Sequence, residues 1–254
     1  LSFPNGIQKF DGNNFTNVSV QPGLPDDKFA TFFRCSNGDL LISHSEGISK
    51  YVTAGNRFVQ IYTLAGPKIP VQFIGEDENI IYFYTQSGTI AGMDCVTYKI
   101  VKEVKTSFYD QTFSSDFRPK LSSNIINHKV AILVKSTLFL WDLQKEKLVS
   151  RSAPIPDISQ YFLRLKTESE VLYFTYKINN AILLYDFKSS ASSSIVIKGK
   201  DDKEISRFII HPWQNGLLLA ITSKLYKVDP VTLELKAEMV NFQNQSIAST
   251  SGIA

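Results

Sequence analysis

Apolar residues along this chain gather in short runs, many alternating with polar positions, and clusters of Gly, Ser, Asn and Asp separate the runs. A side-chain period of two bounded by turn residues predicts β-strands. No long stretch has helical periodicity with caps at both ends, and β-branched and aromatic residues dominate the apolar runs. The expectation is an all-β chain. Short turns of helix fit only residues 113–121 and 158–165.

One pattern returns along the chain: a Gly-, Ser- or Asn-rich turn, then a strand ending in an aromatic residue or Val and usually an Asp. The copies are Gly6-Ile-Gln-Lys-Phe-Asp11, Gly47-Ile-Ser-Lys-Tyr-Val52, Gly88-Thr-Ile-Ala-Gly-Met-Asp94, Thr137-Leu-Phe-Leu-Trp-Asp142, Ala181-Ile-Leu-Leu-Tyr-Asp186 and Lys224-Leu-Tyr-Lys-Val-Asp229. The anchors Asp11, Val52, Asp94, Asp142, Asp186 and Asp229 are therefore 41, 42, 48, 44 and 43 residues apart. That period matches a propeller blade, a four-stranded antiparallel sheet of roughly 40–45 residues. A nearly continuous apolar run, such as Asn79-Ile-Ile-Tyr-Phe-Tyr84 or Lys129-Val-Ala-Ile-Leu-Val134, precedes the anchor strand and reads as an inner strand covered on both faces. Final strands are expected within 14–20, 58–64, 97–104, 148–152, 194–198 and 233–239. The reading is a single β-propeller domain over residues 1–254. Six blades are favoured over seven, with the ends sharing a blade in which 246–251 pair beside 1–3.

Leu138-Phe-Leu-Trp-Asp-Leu143 resembles the Trp-Asp ending of the WD40 repeat, and Tyr185-Asp186 and Val228-Asp229 resemble degenerate forms of it, although no Gly-His pair opens any blade. Gly6-Ile-Gln-Lys-Phe-Asp-Gly12, Gly23-Leu-Pro25, Asn37-Gly-Asp-Leu-Leu-Ile42 and Glu46-Gly-Ile-Ser-Lys-Tyr51 resemble the repeats of bacterial two-component-regulator sensor propellers. Both resemblances imply the propeller fold, and neither implies a chemistry.

Composition agrees with many short packed strands: 18 Phe and 11 Tyr against 13 Gly and 10 Pro. A formal charge of +3 carries no general nucleic-acid signal. Nucleic-acid binding would require Arg118, Lys120, Lys198, Lys200, Lys203 and Arg207 to form one stripe. Two cysteines, Cys35 and Cys95, exclude a disulfide scaffold and a cysteine-built zinc cluster, and are expected as separate thiols. No run of 18 apolar residues occurs, so no membrane-spanning helix is expected. The terminal segments read as those of a piece excised from a longer protein. Few cysteines and the Trp-Asp-like anchors favour an intracellular protein, cytoplasmic or nuclear. Sequons at Asn14, Asn17 and Asn244 favour the extracytoplasmic alternative.

No phosphate loop, dinucleotide fingerprint, nucleophile elbow, zinc-protease or calcium-loop motif is present. His44, His128 and His211 are spaced by about two blades but fall at different blade positions, which argues against a metal site. The recurring Asp residues sit at strand-to-turn junctions, where carboxylates accept turn N–H groups. No catalytic residue, cofactor or metal is expected. Candidate partner-binding residues are Trp213 and Arg207, in the segment Lys198-Gly-Lys-Asp-Asp-Lys-Glu-Ile-Ser-Arg-Phe-Ile-Ile-His-Pro-Trp213. Tyr109, Phe113, Phe117 and Arg118 join them from the longest inter-anchor interval. Trp213 is expected in the turn Pro212-Trp-Gln-Asn-Gly216. The functional expectation is a non-catalytic protein–protein interaction scaffold, one domain of a larger protein in a multiprotein assembly. A ligand-sensing extracytoplasmic propeller of a signalling receptor and an enzyme with its site at a central channel are the alternatives.

Overall fold

The computed structural model describes residues 2–3, 6–10, 14–17, 29–65, 69–85, 87–106, 120–121, 125–134, 136–155, 163–165, 171–176, 181–196, 209–213, 216–221, 224–228 and 235–241. Every regular element among them is a strand. The first sheet contains β1 (Ser2–Phe3), β2 (Gly6–Phe10) and β3 (Phe15–Asn17). The second contains β4 (Phe29–Arg34), β5 (Leu40–His44), β6 (Gly47–Val52) and β7 (Arg57–Thr63). β8 (Gln72–Asp77), β9 (Ile80–Tyr84), β10 (Thr89–Asp94) and β11 (Ile100–Lys105) form the third. The fourth holds β12 (Lys120–Leu121), β13 (Lys129–Val134), β14 (Thr137–Asp142) and β15 (Lys147–Arg151). In the fifth are β16 (Leu163–Leu165), β17 (Val171–Tyr176), β18 (Ala181–Asp186) and β19 (Ala191–Val196), and in the sixth β20 (Ile209–Trp213), β21 (Gly216–Ile221), β22 (Lys224–Val228) and β23 (Leu235–Asn241). In each sheet the strands are neighbours in chain order and antiparallel.

The anchor strand is the third of each four-stranded sheet, as the sequence predicts, and the apolar run before it is the second. Burial falls across a sheet in that order. β9 and β13 are buried beyond their first residue, β10 is buried up to Asp94, and β11 and β15 are mostly exposed. Of the two segments with room for a helical turn, Lys120–Leu121 and Leu163–Leu165 are strand, and 113–119 and 158–162 lie outside the described residues. Residues 246–251, expected beside 1–3, lie outside the described residues.

By contacts the chain divides into two compact units, Leu1–Arg118 and Pro119–Ala254. In the first unit the second and third sheets share a core of Cys35, Leu41, Ile48, Val71, Ile81, Phe83, Ala91, Met93 and Cys95. Phe33 stacks on Phe73 and Tyr62 tilts onto Phe83, both with centroids 5.2 Å apart. In the second unit Ala131, Leu133, Leu138 and Leu140 of the fourth sheet pack on Tyr185 and Phe187 of the fifth. Each fully buried Leu, Ile or Phe in such a layer contributes about 1.5–3 kcal/mol.

Candidate functional site

The turns between third and fourth strands are built alike. Asp94 Oδ1 accepts the N–H of Val96 at 3.1 Å, the N–H of Thr97 at 2.7 Å and the Thr97 hydroxyl at 2.8 Å. Asp142 Oδ1 accepts the N–H groups of Gln144 and Lys145 at 3.0 and 2.8 Å. Asp186 accepts the N–H of Lys188 and the Ser189 hydroxyl, both at 2.8 Å. Four residues past the anchor the backbone turns left-handed each time, at Asn56, Tyr98, Glu146 and Ser190, with φ between 47° and 56°. The recurring carboxylates are therefore turn caps. Hydrogen bonds hold two of them below the usual carboxylate range, chiefly the Thr97 N–H at Asp94 and the Ser189 hydroxyl at Asp186. Asp11 and Asp229 lie outside the described residues.

Antiparallel order puts these turns at the same end of each sheet as the turns between first and second strands. In the first unit the two kinds of turn join the second sheet to the third. Asp39 forms a 2.8 Å ion pair with Lys50 and accepts a short hydrogen bond from the Tyr98 hydroxyl. Lys50 Nζ also donates to Tyr98 Oη at 3.0 Å. Asn37 Nδ2 donates to the Cys95 carbonyl at 3.0 Å, and the backbone and hydroxyl of Ser36 both donate to the Glu76 carboxylate. Burial pushes the Asp39 carboxyl up, but hydrogen bonds from Lys50 and Tyr98 outweigh it and leave the group below its ordinary range. Lys50 is raised, first by its bond to Asp39. Beneath this clasp Cys35 and Cys95 are free and buried. Burial, helped by the charges of Glu76 and Asp39, pushes the Cys35 thiol up to about 12. Around the clasp Ser36, Asn37, Val96 and Thr97 are exposed, Val96 to 71%. The equivalent turns at Gln144–Glu146 and Lys188–Ser190 are exposed as well. In each unit, exposed turns of this kind, closed by their own hydrogen bonds, suit docking.

Sequence reasoning missed the clasp. Its signals were Lys50 in a strand whose first half is buried and Tyr98 at a turn position that favours Asn or Gly. Trp213 is the last residue of β20 and pairs with Gly216, so it closes a hairpin and does not lie in the turn. Trp favours strands, and Pro is tolerated on a first strand that needs no N–H toward its open edge. Tyr109, Phe113, Phe117, Arg118 and Arg207 lie outside the described residues.

The histidines occupy three different places, as expected. His44 ends β5, buried, with Nε2 2.8 Å from Ser49 Oγ and Nδ1 accepting the Glu46 N–H at 3.2 Å. His128 is a left-handed residue just before β13, and His211 pairs with Leu218 inside β20. Among the described residues no group of three or more His, Cys, Asp or Glu side chains is placed to hold a metal ion.

No protein-family model matches the chain, and no curated protein matches it. Solved structures do. The extracellular domain of BT4673 from B. thetaiotaomicron, described as a one-component system, superposes with a TM-score of 0.60 at 13% identity, over 92% of this chain and 34% of that one. This fold decides the architecture seen in the sheets. The chain is a β-propeller. A catalytically inactive virginiamycin B lyase from Staphylococcus aureus with quinupristin matches the propeller with a TM-score of 0.62 at 16% identity, over 96% of this chain and 79% of that one. A chain of the mitotic checkpoint complex matches at 0.54 and 10% identity, over 90% and 71%. The propeller thus spans about a third of the BT4673 domain, and at these identities the likeness concerns fold alone.

Proposed function

We propose that this propeller is a non-catalytic platform of six blades that docks a partner protein on its turn rim, within a multiprotein assembly in the cell interior. The observation that carries this reading is the commitment of the repeated carboxylates. Among the described residues Asp94, Asp142 and Asp186, the acidic side chains that the repeat brings to equivalent places, spend their lone pairs on their own turns. The turns present polar side chains and, in the first unit, an exposed Val96, the makings of a contact surface with a few anchors and a polar border. The likeness to a chain of the mitotic checkpoint complex supports it.

The test is affinity capture with quantitative mass spectrometry, comparing wild type with Val96→Glu and with the double variant Trp213→Ala, Phe117→Ala. One stoichiometric protein lost from either variant, with an unchanged circular dichroism spectrum, is the expected result. Absence of any stable protein partner from wild type would overturn the platform. A second reading, a ligand-sensing extracytoplasmic propeller, draws on the sensor-like repeats in the first two sheets and on the likeness to the BT4673 extracellular domain. A metabolite that raises the melting temperature of a protein with no partner would favour it. Among the described residues no helix is long and apolar enough to cross a membrane.

A further inference from the structure

In three sheets the chain leaving the fourth strand bonds back to the turn between the second and third strands. In the second sheet the Leu64 N–H donates to Glu46 O at 2.8 Å, and in the third the Thr106 N–H donates to Gly88 O at 2.9 Å. Both donors stand 12 residues past their anchors, Val52 and Asp94. The equivalent residue in the fourth sheet is Pro154, which has no N–H. The bond to Ser136 O is made one residue later, by Ile155 at 2.8 Å. Before it, the Ser152 N–H donates to Leu138 O at 2.8 Å while Ser152 Oγ accepts the Leu138 N–H at 3.0 Å and donates to Ala153 O at 2.6 Å. Ala153 and Pro154 are left between two fixed points and stand off the sheet. The result is a half-open cleft of about 430 Å³ lined by Thr137, Phe139, Arg151, Ser152, Ala153 and Pro154.

The lining has two chemistries. Phe139, half-buried, and the exposed Ala153 and Pro154 make apolar walls. Arg151, cross-strand partner of Phe139, is exposed and has no acidic partner among the described residues. Lys147 and Glu146 both stand at the strand's far end, so Arg151 is the charged group of the lining. The volume falls within the range of sites that take a small ligand or a few side chains, roughly 300–1,000 Å³, and a guanidinium binds carboxylates through two parallel N–H bonds.

We infer that this cleft takes an extended acidic segment of a partner protein, with an Asp or Glu carboxylate on Arg151 and a neighbouring apolar side chain between Phe139 and Pro154. The inference rests on the platform reading but adds to it a second docking site, at the end of the fourth sheet opposite the turn rim. The experiment is an array of synthetic decapeptides pairing Glu or Asp with Phe, Leu or Met, beside the same peptides with Gln or Asn, followed by fluorescence anisotropy on the strongest binders. Wild type selects the acidic set, Arg151→Gln weakens those peptides at least tenfold, and Pro154→Ala, which restores the missing N–H and lets the ladder close, weakens them as well. Equal binding of acidic and amide peptides, or unchanged affinity in Arg151→Gln, would overturn the inference. If affinity capture still finds a rim partner in that event, this site alone is wrong. If neither peptide nor partner binds, the platform falls with it.

Discussion

The second sheet reaches the same turns as the third and fourth with different atoms. At the turn after the third strand, Asp94 and Asp142 cap N–H groups with a carboxylate, whereas the second sheet has Val52 there. It closes the turn with the Asn56 N–H to Thr53 O at 3.1 Å and with the Tyr51 hydroxyl donating to Asn56 Oδ1 at 2.5 Å. The bulge between third and fourth strands differs too. In the third and fourth sheets it lies near the anchor, with Val101 and Val149 as the extra residues, exposed to 53% and 41%. In the second it lies near the opposite turn, with Ile61 as the extra residue packed against the core. Moving the bulge brings the Tyr62 carbonyl over Gly47, where a Cβ would sit 2.0 Å from that oxygen. The third and fourth sheets carry Thr89 and Thr137 at this place. Strand order is common to the repeat, and each sheet places its bulges and closes its turns in its own way.

Substituting Gly47 breaks the comparison most sharply. Gly47 has φ of +143° as well as the carbonyl contact, so Gly47→Ala is expected to cost about 3 kcal/mol or to abolish soluble protein. Thr89→Gly at the equivalent place should cost only about 1 kcal/mol. Urea unfolding of the two variants decides it, and equal losses would mean that bulge position is irrelevant.

The next effect is in the caps. Asp142 is buried, and Asp142→Ala leaves the Gln144 and Lys145 N–H groups unsatisfied, a loss of about 2 kcal/mol. Asn56→Ala in the carboxylate-free turn is expected to cost about 1 kcal/mol, from a left-handed backbone and one hydrogen bond. A larger loss at Asn56 than at Asp142 in thermal denaturation would reverse the roles assigned to the two turns.

The smallest effect is that of pH on the clasp. Asp39, Asp94 and Asp186 all have lowered folded values, so the stability they add is present above the unfolded carboxylate value of about 3.9 and is lost as pH falls through the folded ones. Lys50 is raised, so its share is present below its ordinary value and is lost as pH rises through the folded one. The melting temperature of Asp39→Asn, followed from pH 6 down to pH 2, should fall less steeply than that of wild type. Parallel curves would show that the clasp carries no such linkage.

Much of this was legible in residues close together in sequence. The anchors announced the third strands and their capped turns, because an Asp and the N–H groups two and three residues on need no distant partner. Nearly continuous runs such as Ile80–Tyr84 announced the inner strands, since a strand covered on both faces has no polar side to show. Trp213 was misplaced because Pro212 reads as a turn residue until the pairing with Leu217 shows the strand continuing through it. The first strands went largely unread, and those at Lys120–Leu121 and Leu163–Leu165 are too short to show a pattern of their own.

By itself the sequence determined the period, the strand order within each blade, and the structural duty of the repeated carboxylates, all set by local periodicity and turn chemistry. Tertiary structure alone decided that Asp39, Lys50 and Tyr98, up to 59 residues apart, meet in one clasp. It alone decided that Pro154 opens a cleft beside Phe139 and Arg151. Those juxtapositions depend on which sheet packs on which and on a ladder bond displaced by one residue, and neither leaves a trace in nearest-neighbour pattern.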